Sequence, residues 1–78
     1  MKNFKYIVAN SSILGGKPII KGTRISVELI LEWLASGGTV ETILLQYPHL
    51  SKEAVQEALL YASQAMKNEI VIEADSVA

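Results

Sequence analysis

Apolar residues change their spacing at Ser26. Before it they alternate with polar residues, whereas beyond it they recur every three or four positions. The stretch 4–9 alternates most clearly and predicts a strand. We expect one face of this strand to carry Phe4, Tyr6 and Val8 and the other to carry Lys5 and Ile7. The chain is therefore predicted to begin with β structure and to continue with helices.

The segment 15–26 combines three glycines, one proline and three cations around an apolar centre. Glycine adopts backbone angles that other residues resist, and proline cannot continue a helix, so this segment is not helix interior. Residues 18–20 and 23–26 are predicted to form two short extended pieces around a tight turn at Lys21 and Gly22. This hairpin is either a plain surface feature that leads into the first helix or a basic surface shaped for a partner.

Three helices are predicted after Ser26 from apolar stripes with helical spacing. The stripes are Val27, Ile30, Leu31 and Leu34; Val40, Ile43, Leu44 and Tyr47; and Val55, Leu59, Ala62 and Met66, the last widened by Ala58 and Tyr61. Ser26, Thr39 and Ser51 are the predicted N-caps, because each hydroxyl precedes a stripe and is followed two positions later by a glutamate near the positive end of the helix dipole. Glycine ends the first helix and Pro48 ends the second.

Only the residues 47–50 separate the second and third predicted helices. A short helix, a tight turn and a longer helix form the helix-turn-helix arrangement. The predicted fold is mainly α, with a short N-terminal β-hairpin followed by a three-helix helix-turn-helix bundle. We assign residues 1–66 to a single domain and residues 67–78 to an acidic tail. The tail is either a fraying end or an extended arm that adds a strand to a partner.

Composition constrains the class of protein. Half of the 78 residues are hydrophobic, which indicates a globular chain with more apolar surface than so small a body can bury alone. We therefore expect a homodimer or a tightly bound partner. The absence of cysteine fits a reducing compartment, and no apolar run has the length of a membrane span or of a signal-peptide core. A cytoplasmic protein without membrane association is expected.

Charge is distributed unevenly along the chain. Residues 1–27 carry five cations and no acid, whereas the remainder carries all eight acids and two cations. This asymmetry predicts two differently charged faces, one of which meets phosphate. The alternative is that these charges only keep a small protein solvated.

Catalytic and metal chemistry have few candidate residues. His49 is the only histidine and cysteine is absent, so neither a nucleophile with its base nor a converging set of metal ligands is predicted. His49 is expected to be a solvated turn residue. We expect no enzyme activity, no cofactor and no metal site.

The residues give mixed support to DNA binding. The candidate DNA-binding residues are Lys17, Lys21 and Arg24 on the hairpin and Ser51, Lys52 and Gln56 on the third helix. In a helix-turn-helix the start of the second helix faces base edges, where Gln56 can bond adenine, while Glu53 and Glu57 repel phosphate. Arg24 has the alternative of pairing with a first-helix acid such as Glu28.

Partner-binding candidates lie elsewhere on the chain. Trp33 falls off the main stripe of its helix, which indicates either a wider buried face or an interface anchor. Ile70, Val71 and Ile72 in the tail are the candidate residues for contacting a partner.

One segment resembles a known family. The run ILGGKPIIKGTRI at residues 13–25, then Val27, Tyr47–Pro48 and Leu50, is similar to the domain-of-unknown-function family 433 over about residues 7–62. That family resembles VapB-type antitoxins, which combine a short β element with a homeodomain-like helical fold.

The resemblance implies a partner and a function. It implies neutralisation of a PIN-like ribonuclease toxin encoded nearby, together with binding to the promoter DNA of the same operon. Two stretches depart from the family pattern. Residues 10–12 are Asn-Ser-Ser, whereas many relatives have an aspartate-proline pair there. The chain ends in a short acidic tail, whereas many relatives continue as a helix. A dimeric protein-interaction module with a helix-turn-helix shape and no role on DNA is the alternative function.

Overall fold

The computed structural model describes residues 4–68. Two strands, β1 (Ile7–Ala9) and β2 (Pro18–Ile20), precede three helices, α1 (Val27–Ala35), α2 (Val40–Gln46) and α3 (Lys52–Ala65). Short 3-10 turns follow β1 at Leu14–Gly16 and α3 at Met66–Asn68. The predicted mainly α fold with an N-terminal β-hairpin is confirmed. The tail candidates Ile70, Val71 and Ile72 lie outside the described residues.

The sheet pairs β2 with β1. The two strands run antiparallel, with Ile7 opposite Ile20 and Ala9 opposite Pro18. The predicted second extended piece contributes only an isolated bridge, from Ile19 to Ser26. This pairing does not extend further because Ser26 is already the N-cap of α1, and the chain continues from there as helix.

The predicted turn at Lys21 and Gly22 is present. The backbone N–H of Thr23 donates to the carbonyl of Ile20 at 3.0 Å, and Gly22 has a φ of 80°, a left-handed conformation that favours glycine. The Thr23 hydroxyl donates to the same carbonyl at 2.7 Å and accepts from the N–H of Ile25 at 2.9 Å. These three bonds fix the direction in which the chain leaves the turn.

Ile7 and Val8 lie on opposite faces of β1, as predicted, and the face of Ile7 is the buried one. Ile7 is 7% exposed and belongs to the core, whereas Val8 is 36% exposed. The strand begins only at Ile7, so the alternation does not continue back to Phe4 and Tyr6, which nevertheless pack against the core. Phe4 meets the ring of Tyr61 edge to face, with the ring centroids 5.2 Å apart.

All three predicted N-caps are confirmed. The hydroxyl oxygens of Ser26, Thr39 and Ser51 accept hydrogen bonds from the backbone N–H groups of Leu29, Thr42 and Ala54, respectively. At α2 the cap is reciprocal, because the Thr42 hydroxyl also accepts from the backbone N–H of Thr39 at 2.8 Å. Helix starts are therefore set by local chemistry that the sequence displays.

The core lies where β1, β2 and the three helices meet. Its buried members are Ile7, Ile20, Ile25, Val27, Ile30, Ile43, Leu50, Ala54, Val55 and Ala58. The three predicted stripes supply half of this set, but Met66 does not belong to it. Met66 is 53% exposed because α3 ends at Ala65 and the chain tightens into a 3-10 turn.

Trp33 packs inside the molecule at the junction of α1 and α2. Its ring meets Tyr47 edge to face, with centroids 5.6 Å apart, and the side chain is half-buried. Gly38 lies so close that an added Cβ would stand 2.2 Å from Cδ1 of Trp33. Trp33 therefore widens the buried face of α1, which is the first of the two predicted roles. Its role as an interface anchor stays a prediction.

Candidate nucleic-acid interface

Arg24 shares one groove with Lys17, Glu28 and Glu32 and another with Lys21. The Nζ of Lys17 donates to Oε1 of Glu28 at 2.8 Å, and this hydrogen bond and the attraction between the charges raise the pKa of Lys17 above its ordinary value of 10.5. Glu28 therefore pairs with Lys17, whereas the sequence offered it as a partner for Arg24. Since the pair is close to neutral, Lys17 offers less net charge to phosphate than Lys21 or Arg24.

Lys21 lies on a ridge between two grooves. We call the first the turn groove; it has a volume of about 310 Å³ and is lined by Lys21, Gly22 and Thr23 on one side and by His49 and Ser51 on the other. The second, the hairpin groove, has a volume of about 620 Å³, and its lining includes Lys21 and Arg24. The turn thus places Lys21 beside the start of α3 and Arg24 along the opposite groove.

The start of α3 presents the predicted side chains to solvent. Ser51, Lys52 and Gln56 are all exposed. The Ser51 oxygen accepts from the N–H of Ala54 at 3.0 Å, which leaves the hydroxyl proton free to donate to another acceptor. Glu53, an acidic residue, is exposed in the same first turn.

Glu57 behaves differently from Glu53, although both are predicted to repel phosphate. Glu57 is half-buried, and its Oε2 accepts a hydrogen bond from the backbone N–H of Tyr6. The carboxylate is therefore engaged with the chain entering β1. Sequence reasoning missed this contact, although position 57 borders the buried stripe at Ala54 and Ala58.

Tyr6 links α3 to the turn that carries Lys21. The backbone N–H of Lys21 donates to the carbonyl of Tyr6 at 2.7 Å, while the N–H of Tyr6 donates to Glu57 on α3. A single residue is thus hydrogen-bonded on one side to the turn and on the other to the helix. The two walls of the turn groove are held in a fixed relation.

The connection between α2 and α3 is anchored in the core. Leu50 is buried, and its backbone N–H donates to the carbonyl of Tyr47 at 2.9 Å. His49 is exposed, as predicted, and its ring lies edge-on to Tyr47 with the centroids 6.3 Å apart. His49 also lines the turn groove opposite Lys21, a position that sequence reasoning did not assign to it.

Residues 4–68 contain neither a cluster of metal-ligating side chains nor a helix that could span a membrane. Within that range no three histidine or acidic side chains come together as a metal site would require. None of the helices in that range combines the length and the apolar character needed to cross a bilayer.

Comparison with known proteins gives a family and one curated relative. The family described as "Protein of unknown function (DUF433)" matches residues 7–62. An uncharacterized protein of Sinorhizobium fredii, y4eO, is 36% identical over 56 residues, which is 72% of this chain and 25% of the relative. The chain thus spans about a quarter of that relative's length. No solved structure matches the chain significantly.

Proposed function

The chain belongs to the DUF433 family of proteins of unknown function, and from that membership and the surface described above we propose that it is the antitoxin of a type II toxin–antitoxin pair. In this proposal it works in the cytoplasm as a homodimer, neutralises a PIN-like ribonuclease toxin encoded nearby and binds its own promoter DNA. The toxin-directed half rests on the resemblance of the family to VapB-type antitoxins. The DNA-directed half also draws on the geometry of the turn and α3.

One observation carries the DNA-directed half: Tyr6 is hydrogen-bonded both to the turn at Lys21 and to α3 at Glu57, one turn after the helix begins. In helix-turn-helix proteins, contacts to phosphate set the register on the duplex, and the start of the second helix reads the bases. Both tasks need side chains in a fixed relation. The hydrogen bonds of Tyr6 to Lys21 and Glu57 supply that relation.

The residues divide the work according to their chemistry. Gln56 on α3 has the amide that pairs with adenine in the major groove. Ser51 and Lys52 at the start of α3, together with Lys21 beside them, bind phosphate oxygens. Arg24 extends the basic surface along the hairpin groove, and dimerisation doubles it. Lys17 contributes less, because Glu28 balances its charge.

Toxin binding involves a different set of residues. Ile70, Val71 and Ile72 are the proposed contacts in the tail, and the exposed part of Trp33 is the proposed contact on the folded body. Apolar side chains of this size are typical anchors of protein interfaces.

The test of the proposed function combines two measurements on the full chain. Affinity purification from the native cell asks whether the product of the neighbouring gene is retained, and fluorescence anisotropy at low salt asks whether the chain binds its own upstream DNA. We expect retention of the toxin and binding that is stronger for upstream DNA than for unrelated DNA. A chain that purifies alone and binds neither DNA would contradict the proposal.

A second candidate function is favoured by the exposed apolar side chains. Leu45 on α2 is 80% exposed and Leu60 on α3 is 39% exposed, while the acidic residue Glu53 is exposed at the start of α3. These features fit a dimeric protein-interaction module that has the helix-turn-helix shape and no role on DNA. Retention of a partner protein without any binding to upstream DNA, alone or with that partner, would favour this candidate.

A further inference from the structure

Three side chains with hydrogen-bond donors line the turn groove, and each comes from a separate segment. Lys21 belongs to the turn after β2, His49 to the connection between α2 and α3, and Ser51 to the cap of α3. All three residues are exposed to solvent. The lining contributed by residues 4–68 includes no acid. No carboxylate of that lining therefore competes with an anion for these donors.

The backbone is fixed on both sides of the groove. The Thr23 N–H donates to the carbonyl of Ile20 in the turn, and the Leu50 N–H donates to the carbonyl of Tyr47 in the connection. Leu50 is buried, so it anchors the backbone directly after His49. A site whose backbone is already ordered loses less conformational entropy when a ligand binds.

His49 differs from the other two donors because its charge changes near neutral pH. A neutral imidazole donates from one ring nitrogen, whereas a protonated imidazole donates from both and carries a positive charge. Charge-assisted hydrogen bonds to phosphate are stronger than neutral ones. A contact between His49 and phosphate is therefore stronger when the ring is protonated.

We propose that His49 binds a phosphate group of DNA together with Lys21 and Ser51, and that protonation of His49 strengthens DNA binding below neutral pH. This inference rests on the proposed function and deepens it, because it adds a pH-dependent contact to the DNA-binding surface. The phosphodiester groups of DNA stay ionised over the range in which histidine titrates, so the change in charge comes from the protein.

The charged surroundings of His49 couple its protonation to phosphate binding. The titratable groups on the segments around the groove are, in chain order, Tyr6, Lys21, Tyr47, Lys52 and Glu53. Of these, Tyr6 and Lys21 line the groove with His49, and Tyr47 lies against the imidazole ring. Two cations on one groove repel each other, and an anion bound between them offsets that repulsion. Protonation and phosphate binding therefore favour each other.

The test measures the affinity of the full chain for its own upstream DNA by fluorescence anisotropy over a series of salt concentrations. Wild type should bind about threefold or more tightly at about pH 6 than at about pH 8, because histidine gains its proton between these values. The slope of log K against log salt should be steeper at the lower pH by up to about 0.9, the value for one phosphate contact. In His49→Gln, which keeps a polar side chain that does not titrate, both differences should largely disappear.

The matched control moves the histidine without changing the composition. His49→Gln combined with Gln46→His places the imidazole at the exposed end of α2, outside the lining of the turn groove. We expect this variant to behave like His49→Gln. The same pH dependence in wild type and in His49→Gln, or its full retention when the histidine is moved, would overturn this inference and leave DNA binding intact. No binding by the wild type at either pH would overturn the proposed DNA binding as well.

Nuclear magnetic resonance of the wild type provides a readout that does not depend on any variant. His49 is the only histidine of the chain, so its ring protons give a single set of signals. Upstream duplex DNA should shift these signals at about pH 6. Lys21→Ala should reduce the shift at equal saturation with DNA, since Lys21 no longer helps to hold the phosphate. Ring signals that stay in place while DNA binds would overturn the proposal.

Discussion

The carboxylate of Glu57 accepts a hydrogen bond from the backbone N–H of Tyr6, a residue 51 positions earlier in the chain. This bond connects α3 with the entrance to β1, and the carbonyl of Tyr6 in turn accepts from the N–H of Lys21. The contact directs one carboxylate oxygen of Glu57 toward the backbone of the chain that enters β1. It does not pair that carboxylate with a cation, so Glu57 still opposes the approach of phosphate.

Removal of this carboxylate should destabilise the fold. We expect Glu57→Ala to lower the free energy of unfolding by about 1.5–3 kcal/mol, the usual contribution of a hydrogen bond to a charged group. Urea denaturation followed by circular dichroism measures this change. Gln56→Ala is the matched control, because Gln56 is the exposed neighbour on the same helix and should cost under about 0.5 kcal/mol. Equal losses for the two variants would show that the Tyr6 bond adds little.

The contact between Gly38 and Trp33 predicts a second loss of stability. A Cβ at position 38 would stand 2.2 Å from Cδ1 and 2.5 Å from Nε1 of Trp33, so Gly38→Ala must displace the ring from its packing against Tyr47. We expect a cost of about 1–3 kcal/mol. In a Trp33→Leu background the same substitution should cost less, since the crowded ring is gone. A double-mutant cycle of denaturation free energies tests this coupling, and strict additivity would contradict it.

The helices were predictable from sequence because their signals are local. Ser26, Thr39 and Ser51 were recognised as caps from the residue type and the glutamate that follows, and each makes the expected bond. Apolar spacing likewise identified Ile30, Ile43 and Val55, each of which is at most 1% exposed.

The strand pairing and the arrangement of the site could not be predicted from sequence, because both are set by contacts between residues that are far apart in the chain. Nothing near Ile7 in sequence indicates that its partner is Ile20 instead of a residue beyond the turn, and that pairing decides which face of β1 is buried. The pairing of Lys17 with Glu28, and of Glu57 with Tyr6, also joins segments that are separate in sequence. The sequence pattern supplied the candidate DNA-binding residues, and the tertiary fold decided which of them stand together.

Substitutions of Ser51 should separate its two roles. Ser51→Ala removes the cap of α3 and should lower stability by about 1 kcal/mol. Ser51→Asp keeps a capping oxygen and should retain the stability, but it adds a negative charge at the proposed phosphate contact and should weaken binding to DNA. Parallel denaturation and anisotropy measurements check both variants. Undiminished DNA binding by Ser51→Asp would exclude this residue from the interface.

The ion pair of Lys17 with Glu28 predicts a specific dependence on pH. Because the pKa of Lys17 is raised in the folded state, its contribution to stability is fully present below the ordinary value of 10.5 and is lost as the pH rises through the folded-state pKa. The pair is exposed, so the contribution is small and is screened by salt.

A thermal melt at low salt measures that contribution. Lys17→Met should lower the melting temperature slightly at about pH 8, and the difference from wild type should disappear above the raised pKa. Lys21→Met is the control, because Lys21 forms no ion pair with any acidic side chain of residues 4–68. A pH-independent effect of Lys17→Met would show that its carbon chain, and not its charge, stabilises the fold.

The account depends most on the claim that Lys21, beside α3, and Arg24, along the hairpin groove, bind phosphate. The direct measurement is the affinity of the full-length protein for its own upstream DNA as a function of salt concentration, for wild type and for Lys21→Ala with Arg24→Ala. The slope of log K against log salt should become shallower by about 0.9 for each phosphate contact removed. Lys17→Ala should change the slope less, because Glu28 balances that charge. An unchanged slope in the double variant, or no binding by the wild type at low salt, would contradict the claim.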